Sequence, residues 1–120
     1  MPVYRNRETQ QVAGVNGGEG TMTRDRLLTE DQLKEVGGEV TYVSQITLDP
    51  HSSLGIHEHV GEGELYFITE GEGVYTEDGF DYNVVPGDAL FCKDGSTHGI
   101  KNISDKPLKF VAVIMKAPTK

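Results

Sequence analysis

The ten residues His57-Glu58-His59-Val60-Gly61-Glu62-Gly63-Glu64-Leu65-Tyr66 carry the densest chemistry of this 120-residue chain. On a strand, residues two apart share a face, so His57 and His59 present two imidazoles side by side. A loop over Val60 to Gly63 turns the chain back, and Glu64 then opens the adjacent strand with Tyr66 and Ile68 on its own face. A second run, Thr97-His98-Gly99-Ile100-Lys101-Asn102, adds one more histidine at a strand start. Three imidazoles and one carboxylate suit a borderline divalent ion such as Mn, Fe, Co, Ni, Cu or Zn. A lone cysteine, Cys92, rules out a thiolate zinc site, and a single carboxylate argues against calcium.

Outward from this segment the chain reads as short strands. Residues 40–48 alternate Val40, Tyr42, Ile46 and Leu48 against Thr41, Val43, Gln45 and Thr47. Further runs follow at 54–59, 64–69, 73–77, 80–85, 88–92, 97–102 and 108–115. Turn-formers separate them, among them Asp49-Pro50, Asp78-Gly79, Pro86-Gly87 and Asp94-Gly95. Nine of the fifteen glycines lie between Gly55 and Gly99, which fits an all-β sandwich or barrel. One helix is predicted at 29–36, with Thr29 as its cap and Gly37-Gly38 as its stop. Residues 1–20, with Gly14 to Gly20 rich in glycine, read as a loose N-terminal arm, and 21–118 as the barrel.

The formal charge is −8, which disfavours nucleic acid and anionic membranes as partners. No apolar run approaches the ~20 residues of a membrane span, and no signal-peptide pattern opens the chain, so a cytoplasmic protein is expected. Between Lys34 and Lys93 there is no Lys or Arg, while Glu35 to Asp88 holds twelve Asp and Glu. That segment suits a cation better than a phosphate.

At these residues the chain resembles the cupin superfamily. The first cupin motif, Gly-x5-His-x-His, then three or four residues to Glu and six to Gly, matches His57, His59, Glu64 and Gly71, with His51 at the leading Gly. The second, Gly-x5-Pro-x-Gly-x2-His-x3-Asn, matches Gly87, Gly95, His98 and Asn102, with Lys93 at the Pro. Fifteen residues separate Gly71 from Gly87, similar to the short spacing of small bacterial cupins, and the chain resembles a small stand-alone cupin similar to one domain of oxalate decarboxylase. The resemblance covers about 40 to 115. It implies a double-stranded β-helix barrel (a jelly roll) with one divalent metal per chain on His57, His59, Glu64 and His98. The metal set is Mn, Fe, Ni, Co or Zn, with Mn or Fe favoured.

Tyr66, Ile100 and Asn102 are expected to line the pocket, Asn102 also bonding backbone near a turn. His51 reads as a surface residue, Cys92 as a buried small hydrophobe and Lys93 as a solvated lysine. Three functions compete: a metal-dependent enzyme on a small oxygen-rich metabolite that chelates the metal (decarboxylase-, isomerase- or dioxygenase-type), a non-enzymatic metal or small-ligand module or sensor, and a sugar or sugar-phosphate isomerase. Thiol dioxygenases of this fold lack the Glu ligand, so Glu64 argues against them. Oxalate decarboxylases carry an Arg three residues before the first ligand His, where this chain has Leu54. A segment without Arg leads to the expectation of a neutral or monoanionic ligand. The last strand, Phe110 to Ile114, is apolar on both sides, and Leu65, Phe67, Val111, Val113 and Met115 point away from the ligand face. A homodimer is the expected cover.

Overall fold

The structure is a computed structural model that describes residues 3–5 and 8–118. Ten strands form two antiparallel sheets that face each other across one core. The larger sheet holds β1 (Glu8–Ala13), β2 (Thr21–Arg26), β3 (Val40–Leu48), β10 (Leu108–Lys116), β5 (Glu62–Glu70) and β8 (Ala89–Cys92), in that spatial order. The smaller holds β4 (Ser53–Glu58), β9 (Thr97–Lys101), β6 (Gly73–Glu77) and β7 (Phe80–Val84). Consecutive strands often sit in different sheets, which wraps the chain around the core as a jelly roll.

Period-two alternation sets what faces inward. On β3, Ser44, Ile46 and Leu48 are buried; on β10, Leu108, Phe110 and Ala112; on β5, Glu64, Tyr66 and Ile68. All of these but Ser44 and Glu64 join Met22, Leu54, Tyr75, Val84 and Ile100 in one core cluster. Leu65, Phe67, Val111, Val113 and Met115 fall on the other face, as the alternation predicts. The register pairs Val113 with Leu65, Val111 with Phe67, and Leu65 with Phe91 on that outer face.

Among the described residues the single α-helix, α1 (Glu30–Val36), begins where its sequence signal lies. Thr29 accepts from the Gln32 backbone N–H while the Gln32 side chain accepts from the Thr29 N–H, a reciprocal cap. Gly37 closes it at φ 128°.

Residues 8–20 differ from the loose arm expected over 1–20, of which residues 1, 2, 6 and 7 lie outside the described residues. β1 pairs with β2 from Glu8↔Arg26 to Ala13↔Thr21, and a short 3₁₀ turn at Val15–Gly17 joins them. Glycines that read as flexibility instead make a tight hairpin connection with φ near +62° at Gly14 and +79° at Gly17. This turn lies against β4. A Cβ on Gly55 would stand 1.9 Å from the Asn16 carbonyl oxygen, and one on Gly18 would stand 2.2 Å from that of Ser53. The absence of side chains at both positions lets two backbones touch.

Candidate metal centre

His57 and His98 are Cα partners across the β4–β9 pair, which sets their rings side by side. His59 lies one residue past β4, where its N–H donates to Ser96 O and its carbonyl accepts from Gly95 N–H. Glu64 comes from β5, in the opposite sheet. The expectation that Glu64 opens a strand adjacent to the histidines is therefore corrected: β4 and β5 belong to different sheets, and the carboxylate reaches the imidazoles across the barrel. One ligand atom from each of His57, His59, Glu64 and His98 lies within 4.8 Å of all the others.

The outer nitrogen of each ring fixes its proton. His57 Nδ1 donates to the Gly55 carbonyl at 2.8 Å, and His59 Nδ1 to Glu62 Oε1 at 3.0 Å. Tyr75 Oη gives its hydrogen to Glu77 Oε1 at 2.7 Å, so at 3.1 Å it accepts from His98 Nδ1. Each neutral imidazole with its proton on Nδ1 turns a lone pair inward from Nε2. There His59 Nε2 stands 3.0 Å from His98 Nε2, and both lie near Glu64 Oε1, at 2.9 and 3.1 Å. Acceptors that close, with no hydrogen between them, repel one another. His59, Glu64 and His98 are buried, so water cannot screen that repulsion. A cation at their centre resolves it, and the donor set of three nitrogens and one oxygen fits a borderline divalent metal.

The surroundings of His57 favour its neutral form. Burial, with the neighbouring His98 and His59 against it, lowers the His57 pKa below the usual imidazole value despite the Gly55 hydrogen bond. Tyr66 stacks on the His98 ring with centroids 4.9 Å apart. Complete burial and the Glu64 carboxylate keep its phenol protonated far above the ordinary range. Cys92 is fully buried, and burial followed by the charges of Glu77, Asp78 and Glu64 pushes its thiol up to about 12. It is an inert core residue, as its small apolar character suggests.

A cavity of about 270 Å³ opens onto this cluster. Tyr66 lines it. Ile100 and Asn102, the other two expected pocket residues, do not: Ile100 is packed in the core, and the Asn102 amide donates to the carbonyls of Leu48, Asp49 and Lys106. Inward alternation along β9 and just beyond it buries His98, Ile100 and Asn102 alike, and only His98 joins the cluster of His57, His59 and Glu64. His51 is exposed with φ 59°, the left-handed conformation that explains a glycine preference at this turn, and its Nε2 meets Asp105 Oδ1 at 2.7 Å. Lys93 is exposed and away from the cavity.

The sequence reading missed the far wall. Met22 and Arg24 of β2, Tyr42 of β3, and Val15 and Asn16 of the 3₁₀ turn line the same cavity. The expectation of a cavity without arginine is corrected, because β2 brings Arg24 to it from outside the arginine-free segment. The signal was present as the alternation of Met22, Arg24 and Arg26 in residues 21–26.

Comparison with known proteins agrees with this architecture. The model of the cupin domain family matches residues 44–114. The chain belongs to the cupin family. Among cupins it is 33% identical over 106 residues to an oxalate-binding protein of Thermotoga maritima, covering 88% of this chain and 85% of that one. A crystal structure described as a predicted oxalate decarboxylase from Thermotoga maritima superposes with TM-score 0.86 at 32% identity, over 92% of this chain and 93% of the other. A cupin described as a sugar phosphate isomerase from Silicibacter pomeroyi aligns with TM-score 0.66 at 26% identity, over 81% of this chain and 60% of that one.

Proposed function

We propose that this cupin binds one divalent transition metal through His57, His59, Glu64 and His98, with Mn or Fe favoured, and holds a small carboxylate ligand there. The observation that carries it is the convergence of the His59 and His98 Nε2 atoms on the Glu64 carboxylate, with a ligand atom of His57 in the same cluster. When bound, the metal supplies Lewis acidity and coordination positions for ligand oxygens. The ligand class rests on a relative, 33% identical, that is an oxalate-binding protein. A cavity of about 270 Å³ suits a ligand of a few heavy atoms.

Among the described residues, Glu64 is the sole carboxylate on the cavity wall. Apart from the clustered side chains, the titratable groups on that wall are Arg24 and the phenols of Tyr42 and Tyr66, so no uncommitted carboxylate or imidazole is placed to move protons on the ligand. This favours holding the ligand over turning it over, and so favours a binding protein over a decarboxylase. The sugar-phosphate reading rests on a more distant relative, of which this chain covers 60%.

The test uses protein purified without added metal. Elemental analysis should find one Mn or Fe per chain, and His57→Ala should lose it. Metal-loaded protein should bind oxalate calorimetrically without consuming it, and mannose 6-phosphate should bind poorly. Loss of oxalate with release of carbon dioxide would replace the binding reading with an enzymatic one.

The outer face of the large sheet supports a further part of this proposal, a homodimer. Phe67 and Phe91, 43% and 48% exposed, form one apolar surface with Leu65, Val111 and Val113. A second copy is its proposed cover.

A further inference from the structure

Arg24 stands in the wall of the cavity that His57, His59 and Glu64 also line. Its Nε is enclosed by protein and has no hydrogen-bond partner. Guanidinium N–H groups are normally paired, so an arginine on a cavity wall with a buried N–H left unpaired marks a place for an acceptor. Among the described residues no carboxylate forms an ion pair with Arg24, although the protein carries a net charge of −8. The side chain is not free to wander. Its guanidinium carbon lies 5.8 Å from the Tyr42 ring centre, and Arg26 approaches the same ring at 5.6 Å.

Charge narrows the ligand. A divalent metal contributes +2 and Glu64 −1, so the loaded cluster carries +1; Arg24 adds another +1 on the same cavity. The sum matches a dianion, and a planar guanidinium fork matches a carboxylate. We propose that Arg24 is the anion-recognition residue of this cavity and selects a small dicarboxylate, one end at the metal cluster and the other on the guanidinium. This inference rests on the metal and small-carboxylate reading above and replaces the expectation of a neutral or monoanionic ligand.

Calorimetric titration of the Mn-loaded protein tests it, with oxalate and neutral hydroxyacetone as probes and retained Mn measured after each run. In Arg24→Ala, oxalate affinity should fall by about 10- to 100-fold, while Mn content and hydroxyacetone affinity stay unchanged. Arg24→Lys should recover part of the loss, because a point charge replaces the fork. If the alanine variant fails to fold or to hold Mn, the lysine variant decides, and oxalate affinity equal to wild type there overturns the proposal. So does an equal loss for both probes in the alanine variant. Wild-type protein that holds Mn but binds no oxalate would overturn the small-carboxylate reading and this inference together, whereas wild-type oxalate binding left intact by Arg24→Ala overturns the role of Arg24 alone.

Discussion

Tyr75 has no place among the four clustered side chains, yet it fixes the proton of one of them. It accepts from His98 Nδ1 only because its own hydrogen goes to Glu77. Tyr75→Phe removes that acceptor and frees His98 to take the other tautomer, which puts a hydrogen where the metal belongs. The variant should keep its fold and lose about 10-fold or more in metal affinity, as measured by competition with a fluorescent chelator. An unchanged affinity would show that packing alone orients the ring. Cys92 provides a second check at this scale. Its thiol, buried and pushed up to about 12, should not react with a thiol-disulfide reagent at neutral pH until denaturant exposes it.

At the level of elements, the 3₁₀ turn and β4 form one wall because Gly18 and Gly55 let their backbones meet. Gly55→Ala would drive a methyl group into the Asn16 carbonyl, 1.9 Å from where its Cβ would sit. The expected cost is about 1–3 kcal/mol of stability, read by urea denaturation. Because Val15 and Asn16 line the cavity, ligand affinity should fall with it while metal content persists. On the opposite side, the outer faces of β5, β8 and β10 are the proposed dimer contact. Val113→Asp places a charge at the centre of that patch, opposite Leu65. Light scattering should show a dimer for wild type and a monomer for the variant; a wild-type monomer at high concentration would dismiss the dimer.

For the whole molecule, the proposed metal and pH should act on the same cluster. A metal at about 1,000 times its dissociation constant adds roughly 4 kcal/mol to stability. Chelator should therefore lower the melting temperature clearly, and His57→Ala should abolish that response. In the metal-free protein, His57 has a folded-state pKa below its ordinary 6.5, chiefly from burial. Below pH 6.5 the unfolded chain gains a proton that the folded one resists, so stability should fall as pH drops through that value. Metal affinity should weaken in the same direction, since protons compete for the imidazoles. A metal-free melting curve that is flat between pH 7 and 5 would count against an electrostatic strain at this site.

The strand pattern and the helix cap at Thr29 were legible in the sequence because each is a short-range matter, and the four clustered side chains because their spacings resemble the two cupin motifs. Alternation, turn residues and fixed spacings are written within a few consecutive positions. The route by which Glu64 meets the histidines was not legible, because pairing partners are chosen by the packing of two sheets, and β5 joins β10 and β8 instead of β4. Asn102 bonds backbone near a turn as expected, but that neither it nor Ile100 lines the cavity was not legible, because sharing a face with His98 does not fix which residues the cavity reaches. The N-terminal glycines signalled flexibility by composition and became a tight turn through contact with β4. Arg24 lies thirty-three residues before His57, and only the docking of β2 beside β3 carries its charge to the cavity. Local chemistry thus named the candidate cation site, while long-range strand pairing brought its side chains together and set the far wall that faces them.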